Sequence, residues 1–237
     1  MRLVPPIETL SLDAGGVLVF PNWDRVSETL ARHGIAVAAD ALRAADPAAK
    51  RAIDDAYRIA TSTDTQRGAG YMELVLEHAG VPRSAATESA LAEVHAYDRE
   101  HNLWEHVPSD VFRALDRLAA LGLKLAIASN ANGVLIRMLE RVGIARYFDT
   151  ICDSHLEGVE KPDPRFFRIV LERCGGRPET TLHVGDLYHV DVVGARSAGL
   201  RAMLIDPHDL YHAYDVERMK SLGELADRLE ADCRARY

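Results

Sequence analysis

Five side chains that could share one reaction stand where buried strands would end: Asp13, Ser129, Lys161, Asp186 and Asp191. Asp13 closes the apolar run 7–12 and has Gly15 and Gly16 behind it. Ser129-Asn130 follows the apolar run 123–128, and Lys161-Pro162 lies beyond the strand-like run 148–152. Gly185-Asp186 follows the run 181–184, with Asp191 five residues further on. In open parallel sheets ligands bind beyond the carboxyl ends of the strands, so the topology predicts that these residues meet in one crevice. Three carboxylates cannot share a small site unless cations neutralise them, and one lysine is not enough. A hard divalent cation such as Mg²⁺ supplies the rest and prefers oxygen ligands. Mg²⁺ commonly partners phosphate. Ser129 can hold a phosphoryl oxygen by hydrogen bond and Lys161 by charge. Asp13 can then approach phosphorus as a nucleophile and form an aspartyl-phosphate.

The elements that must position these groups follow from hydrophobic pattern. From Pro108 onward helical periods alternate with short apolar runs. Helices are expected over 111–121, 132–142, 165–174, 190–198 and 222–229, with a further strand over 202–205. Such alternation implies a parallel sheet covered on both faces. Residues 22–102 carry helical patterns only. The alanine-rich stretch 36–60 reads as helix, with Asp46-Pro47 as an N-cap and first-turn proline opening a helix through Ala60. Further helices are expected over 70–78 and 85–101. The fold class is therefore α/β, a Rossmann-like parallel sheet with helices on both faces plus an inserted all-helical cap. The core is assigned to residues 1–21 and 103–237 and the cap to 22–102.

Composition narrows the partners. The 237 residues are 48% hydrophobic and 27% charged, enough to bury a core. The formal net charge is −8 and the basic residues are scattered, which points away from nucleic acid and anionic membranes. Cys152, Cys174 and Cys233 are far apart, with no CxxC pair, which fits a reducing cytoplasm. No signal segment is read at the N-terminus, and no apolar stretch is long enough to span a bilayer. The expected partner is a small phosphorylated or related anionic metabolite, and the expected state a cytoplasmic monomer or homodimer.

Four motifs in order give the chain a family resemblance. They are Leu12-Asp13-Ala14-Gly15-Gly16-Val17-Leu18, then Ile127-Ala128-Ser129-Asn130, then Gly158-Val159-Glu160-Lys161-Pro162-Asp163-Pro164. The last is His183-Val184-Gly185-Asp186, running through Asp191 to Gly194-Ala195-Arg196-Ser197-Ala198-Gly199. With a helical insert after the first motif, the chain resembles the haloacid dehalogenase-like superfamily, whose members are mostly phosphatases. The resemblance implies Asp13 as nucleophile and Ser129 and Lys161 as phosphoryl binders, with Asn130 and Gly16 beside the substrate. It implies Mg²⁺ held by the Asp13 side chain, Asp186 and the Gly15 carbonyl, with Asp191 supporting the metal site.

One position departs from the family. Its phosphatases usually carry a second aspartate two residues after the nucleophile. That aspartate protonates the leaving group and then activates water. Here the position is Gly15, and general acid–base catalysis is worth about 10²–10⁴-fold. Several readings stay open. The substrate's leaving group can need little protonation, or a cap histidine (His33, His78, His95 or His101) can replace the acid. A phosphonoacetaldehyde hydrolase-like C–P cleavage would use Lys50, the only lysine in the insert, as a Schiff base; the plainer expectation is a solvated Lys50 paired with Asp54. A haloacid dehalogenase needs no acid, but Asp186 beside an anionic substrate counts against it. The last reading is a catalytically silent protein that keeps the metal and phosphate site. Trp23 is expected either at the substrate or in the hinge, Asn132 near substrate or as a helix cap, and Tyr188 and His189 on the surface or shielding the metal site.

Overall fold

The computed structural model describes residues 6–234; the first five residues, where no signal segment is expected, lie outside this range. The described chain divides into two compact units. One runs through Phe20 and resumes at Val107, and the other is Pro21–His106.

The first unit is an α/β layer structure. Its strands are β1 (Thr9–Leu12), β2 (Lys124–Ser129), β3 (Thr150–Asp153), β4 (Thr181–Gly185), β5 (Arg201–Ile205) and β6 (Glu217–Met219). They form one parallel sheet in the order β3-β2-β1-β4-β5-β6. β1 and β4 are buried at every residue, and β2 at every residue but Lys124, as strands of a parallel sheet covered on both faces must be.

The second unit holds five helices: α1 (Trp23–Arg32), α2 (Ala39–Ile53), α3 (Ala56–Thr61), α4 (Asp64–His78) and α5 (Ala85–His101). The remaining helices belong to the sheet unit: α6 (Ser109–Ala120), α7 (Leu135–Arg141), α8 (Ser154–Glu157), α9 (Pro164–Cys174), α10 (Val193–Ser197) and α11 (Leu222–Arg234). α9 is a central covering helix. Its Phe166 packs with Ala126, Ala128 and Cys152, and its Phe167 with Ala195 and Leu200. Gly194 makes the second contact possible, because a Cβ there would sit 2.7 Å from Phe167 and 2.9 Å from the Pro162 backbone.

Several expectations change. Pro47 does not open a helix; it lies inside α2, which starts at Ala39. Interior proline loses a hydrogen bond and costs about 3 kcal/mol. The apolar stripe Leu42, Ala45, Ala49 and Ile53, buried along one face, outweighs that local signal. The helix also stops at Ile53 rather than Ala60. Asp55 caps a new one, accepting from Arg58 N at 3.0 Å. α4 begins six residues before Gly70, because Thr63 and Gln66 form a capping box. β6 had no sequence signal. Glu217-Arg218-Met219 is a short, partly exposed edge strand paired only to β5, which needs no apolar run.

Candidate active site

Asp13 is aimed by the sheet. Its N–H donates to Val184 O at 2.8 Å, extending the β1–β4 ladder by one residue past Leu12. The chain then turns sharply. Gly16 adopts φ +73°, and its N–H donates to Val19 O at 2.9 Å while Leu18 and Val19 donate to Ala14 O. Gly15 bridges to Val19 within this turn. Asp13 Oδ1 accepts from Ala14 N at 2.7 Å and lies 3.1 Å from Lys161 Nζ.

Lys161 is fully buried. Its ammonium bridges two carboxylates, Asp13 Oδ1 at 3.1 Å and Asp191 Oδ1 at 2.7 Å. Its peptide is clamped by the Asn130 amide, whose Oδ1 accepts from Lys161 N at 2.7 Å and whose Nδ2 donates to Lys161 O at 3.0 Å. The Lys161-Pro162 bond is cis. Asn130 thus holds the lysine loop. Ser129, buried at the end of β2, makes a long side-chain hydrogen bond from Oγ to Asn130 O at 3.4 Å.

Asp191 occupies a π-helical turn over Tyr188–Val192, after β4. Its carboxylate packs against Gly185, where a Cβ would lie 2.0 Å from Asp191 Cγ, so the approach requires glycine. Oδ1 accepts from Lys161 Nζ and faces His183 Nε2 at 3.1 Å. Oδ2 accepts from the N–H groups of Asp186 at 3.2 Å and Leu187 at 3.0 Å. One ligand oxygen each from Asp13, Asp186 and Asp191 falls within 4.8 Å of the others.

The charges explain each titration. Burial pushes the Asp13 carboxyl up to about 7; Lys161 pulls it down, while Asp191 and Asp186 push it further up. Burial works against the Lys161 ammonium too, but Asp13 and Asp191 hold its pKa above the ordinary lysine value. Burial would raise Asp191, yet Lys161 and the His183 hydrogen bond keep it well below the usual carboxylate range. Burial depresses His183. Three carboxylates against one ammonium are an oxygen-rich, under-neutralised donor set, which suits a hard divalent cation.

Asp13, Lys161, Asp186 and Asp191 therefore meet as expected from strand ends. Three further groups brace the site without a role that the motifs assign. Ser11 and His183 were hidden inside apolar strands, though a serine in Thr-Leu-Ser-Leu and a histidine in Thr-Leu-His-Val were visible irregularities. Asp153, at the end of β3, is buried and accepts from Gly133 N at 2.9 Å and His155 N at 3.0 Å, bracing the loop after β2. Tyr188 and His189 are not surface groups. They are half-buried, and Tyr188 packs on Tyr214 with ring centroids 4.3 Å apart. The N-cap position of α7 is Val134 rather than Asn132, whose Oδ1 accepts from Val134 N at 3.4 Å in the turn before the helix.

In the helical unit Trp23 is buried against Tyr71, with centroids 6.5 Å apart. Lys50 is not solvated: its side chain is 17% exposed and Nζ lies 3.8 Å from Asp46, which also accepts from the Tyr71 hydroxyl at 2.6 Å. Of the insert's histidines, His78 is exposed, His33 pairs with Glu93 at 3.0 Å, His101 packs on Tyr97, and His95 is half-buried. No described helix is long and apolar enough to cross a membrane.

Known proteins similar to this chain include hydrolases and phosphatases. A zebrafish (Danio rerio) haloacid dehalogenase-like hydrolase domain-containing protein 3 is 36% identical over 152 residues, 60% of this chain and 62% of the relative. A phosphoserine phosphatase of Thermus thermophilus is 36% identical over 57% of this chain and 55% of its own. A glyceraldehyde 3-phosphate phosphatase of Methanothermobacter thermautotrophicus is 28% identical over 65% and 69%. The chain thus spans less than two thirds of the first of these relatives. Among solved structures, the HAD-hydrolase YfnB of Bacillus subtilis bound to magnesium superposes with a TM-score of 0.68 at 19% identity, covering 95% of this chain and 100% of that one. The family model of haloacid dehalogenase-like hydrolases matches residues 7–199, from β1 through the Asp186–Asp191 turn, and the chain belongs to that family.

Proposed function

We propose that this hydrolase is a Mg²⁺-dependent phosphatase of a small phosphorylated metabolite, working through an aspartyl-phosphate on Asp13. The observation that carries this is the buried Lys161 ammonium held between Asp13 and Asp191, beside Asp186. A buried lysine with two carboxylates and a third nearby is costly to build for packing alone. It serves a reaction in which a dianionic group must be held against a nucleophilic carboxylate.

Asp13, Asp186 and the Gly15 carbonyl would hold Mg²⁺, with Asp191 in support. The bound ion supplies positive charge to the phosphoryl oxygens and keeps Asp13 ionised. Both hydrogen-bonding contacts of the Asp13 carboxylate among the described residues fall on Oδ1, which leaves Oδ2 to attack. Its bond to phosphorus forms as the bond to the leaving oxygen breaks, and water later takes the phosphoryl group from Asp13. Lys161 and Ser129 hold the phosphoryl oxygens, and Asn130 fixes Lys161. The names of the curated relatives, a phosphoserine and a glyceraldehyde 3-phosphate phosphatase, favour small phosphorylated substrates.

Gly15 offers no proton to the leaving group. We therefore assign substrates whose leaving group departs readily, such as acyl phosphates. The cluster of three carboxylates disfavours a dehalogenase, whose anionic substrate it would repel. The Lys50–Asp46 pair lends no support to imine chemistry.

The test is Mg²⁺-dependent phosphate release from p-nitrophenyl phosphate, acyl phosphates, sugar and nucleotide phosphates, and phosphonoacetaldehyde. Turnover of the activated phosphates, lost in Asp13→Asn, is expected. No release from any substrate, even by a Gly15→Asp variant, overturns the assignment.

A further inference from the structure

The floor of the sheet carries a polar chain that packing does not require. Ser11 and His183 are registered neighbours on β1 and β4, and both are fully buried. Their strand neighbours Leu10, Leu12, Leu182 and Val184 are apolar. Ser11 Oγ lies 3.0 Å from His183 Nδ1, and His183 Nε2 lies 3.1 Å from Asp191 Oδ1. The ring of Phe167 meets the imidazole edge-on, with centroids 4.9 Å apart, which fixes the ring plane.

The partners decide the hydrogens. An ionised carboxylate only accepts, so Nε2 carries the hydrogen and donates to Asp191. Nδ1 faces the Ser11 hydroxyl, which can donate to a bare nitrogen or accept from a protonated one. Asp191 in turn takes four donors: Lys161 Nζ and His183 on Oδ1, Asp186 N and Leu187 N on Oδ2. A carboxylate has about four lone-pair sites, and all are used. Asp191 therefore connects the strand floor to two parts the site depends on, the ammonium at Asp13 and the turn that presents Asp186.

We propose that His183 is a positioning residue: backed by Ser11, it fixes the Asp191 carboxylate, and through Asp191 it sets Lys161 and the Asp186–Leu187 turn against Asp13. The inference rests on the proposed function only for what the site binds. His183 itself touches none of the reacting groups. If it were filler, any side chain of similar volume would serve. A relay requires one donor at one place. In Gln the amide nitrogen reaches the Nε2 position, whereas in Asn it reaches only that of Nδ1.

Two measurements decide this. In ¹⁵N-histidine spectra of the wild-type chain without metal, His183 is expected to carry a hydrogen on Nε2; a ring with Nδ1–H and a bare Nε2 overturns the relay. Mg²⁺ titration, by calorimetry and by thermal denaturation, is then run on His183→Leu, His183→Gln and His183→Asn. Loss of such a supporting hydrogen bond typically weakens metal affinity by roughly 10–100-fold. His183→Leu is expected to lose that much with unchanged circular dichroism, His183→Gln to recover most of it, and His183→Asn little. Wild-type affinity in His183→Leu, or equal behaviour of Gln and Asn, overturns the proposal. If His183→Leu does not fold, the Gln and Asn pair still discriminates. A wild-type chain that ignores Mg²⁺ sinks the phosphatase assignment instead, and the tautomer alone then decides the relay.

Discussion

Replacing Asp13 by Asn should stabilise the metal-free protein at pH 8 and leave it nearly unchanged at pH 4. Burial, with Asp191 and Asp186 beside it, lifts the Asp13 carboxyl to about 7 against the pull of Lys161. An unfolded aspartate titrates near about 3.9. Between those values the folded state binds the proton and the unfolded state has released it. Stability from this group is therefore lost as pH rises through the window from about 4 to about 7. Three pKa units at about 1.4 kcal/mol each set an upper figure of about 4 kcal/mol above pH 7. Asn cannot ionise and escapes the loss, while its amide oxygen can still accept from Lys161. Mg²⁺ should stabilise the wild type at pH 8, because it binds the ionised carboxylate of the folded state, and should lose most of that effect on Asp13→Asn. The assay is urea denaturation at both pH values, with EDTA or Mg²⁺. Far-UV circular dichroism is the right probe, because both tryptophans, Trp23 and Trp104, lie in the helical unit. Equal stability of Asp13→Asn and wild type in EDTA at pH 8 would refute the reasoning. So would a wild type that gains stability on the variant as pH rises from 4 to 7.

Gly185→Ala puts a Cβ 2.0 Å from Asp191 Cγ; overpacking of this kind costs about 1–3 kcal/mol, and the thermal shift with Mg²⁺ should shrink with it. A variant that answers Mg²⁺ like wild type would show that Asp191 can move without consequence. Glu105 predicts acid sensitivity in the helical unit. Burial raises its pKa, but hydrogen bonds from Asn22, Tyr97 and Arg25 more than offset this and leave it lowered. Its contribution is present above about pH 4.3 and lost as pH falls below. Glu105→Gln should flatten that acid limb in tryptophan fluorescence, at a cost of about 1–2 kcal/mol near neutrality. Lys50→Met should keep activity on activated phosphates, and borohydride with phosphonoacetaldehyde should leave no adduct on Lys50; trapping there would revive the imine route.

The sheet and four of its site groups were legible because each site group follows a buried apolar run, and the end of a parallel strand fixes where the next residue points. Asp13, Asp186 and Asp191 needed no more than that rule. Lys161 needed the third motif as well, since it lies in a loop beyond β3. Where the sequence misled, tertiary burial overrode a local signal. Pro47 reads as a helix start, yet the stripe from Leu42 to Ile53 runs through it. Tyr188 and His189 read as loop residues, yet they pack with Tyr214, which lies beyond β5 and had no pattern of its own. Ser11 and His183 became interpretable only when β1 and β4 were placed side by side, because neither residue has a partner within its own strand.

Gly15 has a kinetic consequence that separates the two halves of the proposed reaction. A good leaving group removes the need for an acid when the Asp13–phosphorus bond forms. It does nothing for the second half, where water must lose a proton as it attacks the phosphoryl group on Asp13. The residue that would accept that proton in a family phosphatase is the one missing here, and its contribution is about 10²–10⁴-fold. Breakdown of the aspartyl-phosphate should therefore limit turnover for any activated substrate. With p-nitrophenyl phosphate, rapid mixing should show a burst of nitrophenolate of about one equivalent per site, followed by slow steady release. Gly15→Asp should abolish the burst and speed the steady state. Steady release with no burst in wild type, at saturating substrate and Mg²⁺, would mean that formation of the intermediate is slower than its breakdown. Some other group would then have to take the place of the aspartate absent at position 15.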